Sequence, residues 1–246
     1  MPARTETEAP MPIRTRLPVV QLALGLALGA VLLTFGGAQA TPAPKPTASH
    51  VPVTYLGTFL KTLSRAPDVT SEWHPLQDKY SRFNMAVPAD WVEGTTPADQ
   101  EGMLYALVAY EVQSREGFNA NLIVSQTQAA DGFVMKPSMV AAIADKMIAD
   151  MKPYKFVVKD KAFAWIDGVP CVIIGGSMEI DGRKLRNLQL RMVYRGLNYL
   201  FTFTVLESQY AQCEPVFARQ VKSLVFERET PSPSSSPSDA PSSAPR

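Results

Sequence analysis

The sequence is poor in the side chains that build metal centres and thiol chemistry. Only two of its 246 residues are histidine and two are cysteine: His50, His74, Cys171 and Cys213. A structural zinc site takes about four such ligands at close spacing, which these separated residues do not offer. The sequence therefore predicts no metal and no cofactor, and nothing near His74 supports pairing it with a thiol as a catalytic base.

A strong excess of one charge is also missing. The chain has 24 basic and 23 acidic residues, a formal net charge of +1, whereas nucleic-acid-binding domains usually carry a clear basic excess. The composition therefore gives no electrostatic case for a nucleic-acid partner.

The sequence lacks a recognisable catalytic motif as well. Gly175-Gly176-Ser177 does not have the G-x-S-x-G spacing of a nucleophile elbow and lies inside a predicted strand, where glycines favour close backbone packing or a bend. Four carboxylates that could do acid–base work fall in one polar loop, and we interpret them as solvated: Asp90, Glu93, Asp99 and Glu101. We therefore predict no catalytic residue and no enzymatic activity.

The N-terminal segment determines the predicted compartment. Arg14 and Arg16 precede an apolar run at 17–37, and Ala38-Gln39-Ala40 then supplies a small-residue cleavage pattern. Together these features indicate a secretory signal peptide over residues 1–40. The alternative is an uncleaved anchor that tethers the protein to the membrane, because the run is close to the roughly 20 residues that span a bilayer. Both interpretations place the rest of the chain outside the cytoplasm, in the periplasm, on the cell surface or in the medium.

Two compositionally biased segments bracket a single predicted domain. Residues 41–52 are proline-rich and favour a semi-rigid spacer, and residues 230–246 are almost wholly proline, serine and alanine. The second segment has too little apolar surface to offset the entropy of ordering, which predicts a disordered tail. One domain is expected between them, over residues 53–229.

The stretch FNMAVPADW, residues 83–91, predicts a half-buried strand that ends at a proline. Its apolar residues alternate with smaller or polar ones, and Pro88 stops the run, which we expect at the edge of a sheet. Trp91 is expected to close the end of the domain against the core. Two longer apolar strands follow at 103–113 and 120–128.

Helical spacing of apolar residues predicts two helices in the first half of the domain and one at its end. The first covers 55–63 and is expected to pack on the domain, with a position against the membrane as the alternative; the second opens at Pro137 with Ser138 as its N-cap. Pro215 fits the first turn of the final helix. Cys213 is expected to lie immediately before this helix.

The second half of the domain favours an antiparallel meander. Three dipeptides that are typical of hairpins separate four strand-forming runs: Asp167-Gly168, Asp181-Gly182 and Arg195-Gly196. To bring Val172 and Ile174 opposite Leu188 and Leu190, we expect a three-residue loop with a bulge at Gly182.

In the last strand of this meander, Phe203 is expected to face inward and Thr204 outward. The same topology places Cys171 and Cys213 near opposite ends of the sheet. Since a disulfide needs Cα atoms within about 7 Å, we predict two unpaired thiols.

The order of these elements and their turns resembles the PsbP-like superfamily, whose exported bacterial members include the DcrB-like and LpqN-like proteins. The resemblance covers residues 82–226 and is carried by FNMAVPADW, NLIVSQ, VAAIADKMIADM, DGVPCVIIGG, DGRKLRNLQLRMVYRGLNYLFTFT and FARQVKSLVF. It implies an α+β fold, a single α/β/α sandwich around a mostly antiparallel sheet. It also implies an accessory, assembly or interaction role without a shared active site.

Two non-enzymatic functions remain open. One is an exported interaction protein of the cell envelope, whose partner is an envelope protein, a wall polymer or a lipid headgroup. The other is a carrier of a small apolar or lipid-like ligand in a cavity between sheet and helix. The candidate binding surface is a basic cluster on one hairpin, with an ordinary solvated face as the alternative: Arg183, Lys184, Arg186, Arg191 and Arg195.

Three aromatic residues are further candidates for lining a ligand pocket, although core filling is the expectation for each: Trp73, Tyr110 and Trp165.

Overall fold

The structure, a computed structural model, describes residues 56–65, 72–100 and 102–228. The predicted signal peptide (1–40), spacer (41–52) and tail (230–246) lie outside the described residues. Three helices are present in the described part: α1 (Leu56–Arg65), α2 (Val140–Asp150) and α3 (Tyr210–Lys222). Its strands are β1 (Trp73–Gln77), β2 (Phe83–Pro88), β3 (Trp91–Glu93), β4 (Met103–Glu111), β5 (Asn121–Gln128), β6 (Val157–Ile166), β7 (Val169–Ile180), β8 (Arg183–Tyr194), β9 (Leu197–Leu206) and β10 (Val225–Phe226).

Seven of these strands form the central sheet, in the order β3-β4-β5-β9-β8-β7-β6. Each neighbouring pair is antiparallel. Strands β6 to β9 are the predicted meander, and β9 lies in the middle of the sheet beside β5. No helix among the described residues is long and apolar enough to cross a bilayer.

Both faces of the central sheet are covered. On one face, α1, α3 and a small sheet enclose the larger apolar cluster, which includes Phe59, Phe83, Phe203 and Phe217. On the other face, α2 encloses a second cluster that is rich in methionine: Met135, Met147, Met151 and Met178. This layering confirms the predicted α+β sandwich, because helices pack on both sides of an antiparallel sheet.

The small sheet was not expected from the sequence. It has the order β1-β2-β10, so β2 is its middle strand, and the expectation that this strand lies at an edge is wrong. Pro88 is tolerated because it is the last residue of β2. Trp91 does close the core as predicted: it is 3% exposed and its ring meets that of Phe217 edge-on at 6.3 Å.

All three predicted hairpins have two-residue turns. In each dipeptide both residues have positive φ, for example 50° at Asp181 and 74° at Gly182, as a type I′ turn requires. Ile180 pairs directly with Arg183, so the three-residue loop with a bulge is wrong. The error arose from assuming that one face of β7 is apolar, whereas both faces are buried and the pairing of Ile173 with Leu190 satisfies the core equally well.

Two helix starts also differ from the expected ones. A short 3-10 helix, Pro137–Met139, precedes α2, and Ser138 does not cap α2, whose N-cap is Met139 without a side-chain hydrogen bond. Helix α3 begins at Tyr210, so Pro215 lies inside it rather than in its first turn. The 3-10 turn after β9 runs directly into α3 and moves the start of the helix forward.

Helix α1 packs on α3, as expected for a helix that docks on the domain. The Thr62 hydroxyl donates to Glu214 at 2.8 Å, and the backbone N–H of Leu56 donates to the Asp160 carboxylate of β6 at 3.0 Å. An acceptor at this position satisfies one of the free N–H groups of the first helical turn. The N-terminal end of α1 is therefore fixed to the edge of the central sheet.

Candidate binding site

The structure divides the five cations of the predicted basic cluster among three environments. Arg183, Lys184 and Arg186 lie at the β7–β8 turn end of strand β8. Arg195 belongs to the turn at the other end, roughly 40 Å away at 3.3 Å per residue, and its guanidinium lies 5.5 Å from the Tyr194 ring centroid. Arg191 is only 1% exposed. The sequence shows which of these residues share a face of β8, but not which face other elements cover. It therefore could not distinguish the buried Arg191 from the other cations.

An open cleft of about 350 Å³ lies at the end of the hairpin that carries the three clustered cations. Its walls come from the β7–β8 turn, the end of β9 with the following 3-10 helix, and the loop between β4 and β5. The lining residues are Glu116, Gly182, Arg183, Lys184, Leu206, Glu207 and Ser208.

Local backbone geometry positions the cleft. The Arg183 guanidinium donates to the Gly117 carbonyl at 2.9 Å, which ties the hairpin to the β4–β5 loop. Gly117 has a φ of 68°, and a Cβ there would lie 3.3 Å from the Arg183 side chain. A glycine is required at this position because the left-handed backbone and the close guanidinium both disfavour a larger residue.

The charges in the cleft are mixed rather than uniformly basic. Arg186 forms an ion pair with Glu207 at 3.5 Å and stacks over the Tyr210 ring at 4.7 Å. Glu116 accepts a hydrogen bond from the Ser208 hydroxyl at 3.5 Å. Lys184 is exposed, and its ammonium is in no ion pair with another described residue. The cleft lining therefore combines the cation of Lys184 with the carboxylates of Glu116 and Glu207.

A second polar group, which sequence reasoning missed, lies on the face of the sheet that α2 covers. We call it the polar band; its seven members are all at most 8% exposed: Asn121, Asn187, Gln189, Arg191, Asn198, Thr202 and Thr204. They come from the three adjacent strands β5, β9 and β8, and five of them pair within the band, as Asn121–Thr204–Asn187 and Thr202–Gln189. Asn187, Gln189 and Arg191 alternate with leucines in the sequence of β8, a pattern that does not show whether this face is solvated or covered.

Thr204 shows the consequence of this burial. Phe203 is fully buried in the larger core, as predicted, but Thr204 is also fully buried and does not face outward to solvent. Its hydroxyl accepts a hydrogen bond from the Asn187 amide at 3.1 Å. Phe203 and Thr204 do point to opposite faces of the sheet, as expected. The expectation that the Thr204 face is exposed to solvent is wrong.

The two cysteines are free thiols, as predicted. Both are buried, Cys171 in β7 and Cys213 in α3. Burial raises the pKa of the Cys213 thiol to about 11 and that of Cys171 further still. Since the thiolate is the nucleophile, neither cysteine is poised for reaction at neutral pH.

The remaining candidates from the sequence are scattered. Asp90 and Glu93 are exposed, and Glu101 lies outside the described residues. Asp99 is structural: it accepts hydrogen bonds from Lys79, at 2.9 Å, and from the Tyr105 backbone, and these bonds lower the pKa of its carboxyl. No group of three or more potential metal ligands occurs among residues 56–65, 72–100 and 102–228.

The aromatic candidates do not line a common pocket wall in the described structure, because they come from separate strands. Trp73 in β1 and Tyr110 in β4 are half-buried. Trp165 in β6 is 67% exposed, so the expectation that it fills the core is wrong. It lies on an edge strand and meets the ring of Phe163 edge-on at 6.2 Å.

Comparisons with known proteins give a fold but no family assignment. No family model matches the chain, and no curated protein matches it. Among solved structures, the cyanobacterial PsbP protein (CyanoP) of Synechocystis has a TM-score of 0.51 at 13% identity, covering 65% of this chain and 95% of that one. LpqN of Mycobacterium tuberculosis, involved in cell envelope biogenesis, has a TM-score of 0.44 at 14% identity, covering 66% and 99%. The fold is therefore PsbP-like, as the resemblance in the sequence implied.

Proposed function

We propose that the protein is an exported, non-catalytic interaction protein of the cell envelope that binds a partner protein through the cleft at the β7–β8 turn. The observation that carries this proposal is the coincidence of two independent features. The sequence singles out a run of cations on one hairpin, and two of them, Arg183 and Lys184, line an open cleft of about 350 Å³.

The chemistry of the cleft favours a polypeptide segment over a polymer of one charge. Lys184 and Arg183 offer donors to an acidic side chain, while Glu116 and Glu207 on the other walls offer acceptors to a basic or hydroxyl group. A uniformly acidic polymer would be repelled by Glu116, whereas the charge of Glu207 is already balanced by Arg186. Complementary charge of this kind contributes more to specificity and association rate than to affinity.

Export is proposed from the N-terminal segment. The apolar run at 17–37 and the Ala38-Gln39-Ala40 pattern favour passage across the membrane. The buried, non-nucleophilic thiols and the structural role of Asp99 support a non-catalytic domain.

The test is crosslinking in intact cells of the native host with the full chain. A photoreactive amino acid at position 184 should capture a discrete partner, whereas the same group at Lys159, an exposed lysine of edge strand β6, should not. Lys184→Glu should lower recovery of the partner by roughly tenfold, because repulsion replaces attraction at this position. Lys159→Glu is the matched charge reversal and should leave recovery unchanged. Equal capture at both positions, or equal loss in both charge reversals, would contradict the proposed surface.

A further inference from the structure

Arg191 is a buried cation without an anionic partner. Its side chain is 1% exposed, one guanidinium nitrogen donates to the Gln189 amide oxygen at 3.1 Å, and Nε has no hydrogen-bond partner among the described residues. The carboxylate of Asp150 at the end of α2 is instead paired with Lys146 at 3.2 Å. The cross-strand neighbours of Arg191 are apolar: Val172 and Leu200.

This arrangement is energetically unfavourable in the isolated chain. Removing an ion from water costs several kcal/mol even after relaxation, and the cost is recovered only when the charge is paired and hydrogen-bonded. Burial lowers the pKa of Arg191 to about 10, against the opposing field of Asp150. The guanidinium is therefore still charged at neutral pH, and an oxyanion is its missing counterpart.

Other side chains of the polar band have oxygens that lack hydrogen-bond donors. Asn121, Asn187 and Asn198 each use the amide nitrogen as a donor, to Asn119, to β9 and to Thr127 respectively. The side-chain oxygens of all three are buried without a donor. Asn198 lies diagonally across from Arg191, since Arg191 pairs with Leu200 two residues further along β9. Such neighbours are about 7–8 Å apart, and hydroxyl groups are the donors that would satisfy the amide oxygens.

We propose that the polar band binds a monosaccharide that carries a carboxylate or phosphate group. The oxyanion accepts hydrogen bonds from Arg191, and a sugar hydroxyl donates to Asn198, its diagonal neighbour. The ligand thus supplies a negative charge to Arg191 and a donor to Asn198, whereas Asn187 lies four residues from Arg191 on β8, about 13 Å at 3.3 Å per residue, beyond the reach of the same ring. The site is separate from the cleft at the β7–β8 turn and does not depend on the function proposed for that cleft.

Helix α2 is the element that gives access to the band. Gln189 contacts it through an amide–sulfur hydrogen bond of 3.8 Å to Met151, which is a weak interaction. The N-terminal end of α2 has no side-chain cap, and the helix packs through a methionine-rich cluster. A sugar can reach the buried band only if α2 moves outward, and the methionine side chains that it packs against adapt readily to a changed neighbour.

The first experiment measures the thermal midpoint of the full chain with four probes at 10 mM. Glucuronate and glucose 6-phosphate test the proposed chemistry, glucose lacks the oxyanion, and inorganic phosphate lacks the sugar. We expect at least one of the two sugar anions to raise Tm by about 3 °C or more, the shift for a ligand that binds in the millimolar range, and both controls to leave it unchanged. A comparable shift with phosphate alone would overturn the sugar part, and no shift with either sugar anion would overturn the site.

Variants then locate the binding. Arg191→Met removes the buried charge at similar length, and we expect it to abolish the ligand-induced shift while leaving the unliganded Tm unchanged or higher. Arg195→Met, at the exposed turn, should retain the full shift. Because Arg191→Met could fail to fold, Asn198→Asp provides a second test. A carboxylate beside Arg191 should raise the unliganded Tm and abolish the ligand-induced rise in Tm. A ligand response that persists in either band variant would refute the assignment.

Discussion

The Gly176→Ala substitution tests the tightest contact between the central sheet and the layer that α2 belongs to. Gly176 pairs with Val158 at the point where β6 is irregular, between Val158 and Asp160. A Cβ at position 176 would lie 2.2 Å from Cζ of Phe156 and 2.8 Å from the backbone oxygen of Val157. The glycine is thus needed for close approach, as its place within the strand predicted.

The size of the effect follows from these distances. To reach an ordinary contact of 3.4 Å, the Phe156 ring must move 3.4 − 2.2 = 1.2 Å, within a cluster where it is only 5% exposed. Overpacking of this kind typically costs about 1–3 kcal/mol. Alanine in a strand would otherwise be favoured by about 0.5–1 kcal/mol over glycine. Because the oxygen of Val157 is a backbone atom and cannot yield as a side chain does, the cost of overpacking falls in the upper part of its range, about 2–3 kcal/mol. We therefore expect a net loss of about 1–2.5 kcal/mol in the free energy of unfolding.

Equilibrium unfolding in urea provides the measurement, with an unchanged m-value as the sign that only stability has altered. Phe156→Leu is the companion variant because it removes the two ring atoms nearest the added methyl group. In that background Gly176→Ala should cost at least about 0.5 kcal/mol less than in the parent chain, a coupling that contacting residues show. A neutral or stabilising Gly176→Ala, or strict additivity of the two changes, would refute the reasoning.

Further expectations concern the core, a buried turn and the thiols. Phe203→Ala should cost about 3–5 kcal/mol by loss of packing, and Thr204→Ala about 1–3 kcal/mol because Asn187 loses one of its two buried acceptors. Urea unfolding measures both, and a Thr204→Ala cost near zero would contradict its burial. Asp78→Ala should destabilise by about 2–4 kcal/mol, since this buried carboxylate accepts backbone N–H bonds from Tyr80, Arg82 and Phe83; Asp78→Asn should retain part of the stability. Cys171 and Cys213 should resist alkylation until urea unfolds the chain, and rapid labelling of the native protein would contradict their burial.

The meander was predictable because its signals are local. Three dipeptides with both residues at positive φ separate four runs of strand-forming residues, and each turn requires little more than its own two residues. The positions of β6 to β9 follow directly. Local signals also identified the apolar stripe of the last helix, although Pro215 misplaced its start by favouring the first turn over the interior.

The errors came from properties that depend on the whole fold. Asn187, Gln189 and Arg191 alternate with leucines, and a strand with one solvent face would show the same pattern. Only the position of α2 and the adjoining loops decides that this face is buried. In the same way, β1 contains Pro75 and His74 and has no clear strand pattern; it forms because β2 offers it a pairing edge. The candidate cleft was predicted only in part, since Glu116 and Glu207 reach it from distant segments.

The attachment of α1 to the edge strand has a consequence for the behaviour of the protein in concentrated solution. An exposed sheet edge can recruit a strand from another molecule and initiate aggregation. Here β6 is irregular between Val158 and Asp160, carries the exposed Lys159 and Lys161, and holds the start of α1 through Asp160. The opposite edge, β3, is only three residues long. The irregularity, the lysines and the docked helix at β6, together with the short length of β3, therefore disfavour edge-to-edge pairing of the central sheet with another chain.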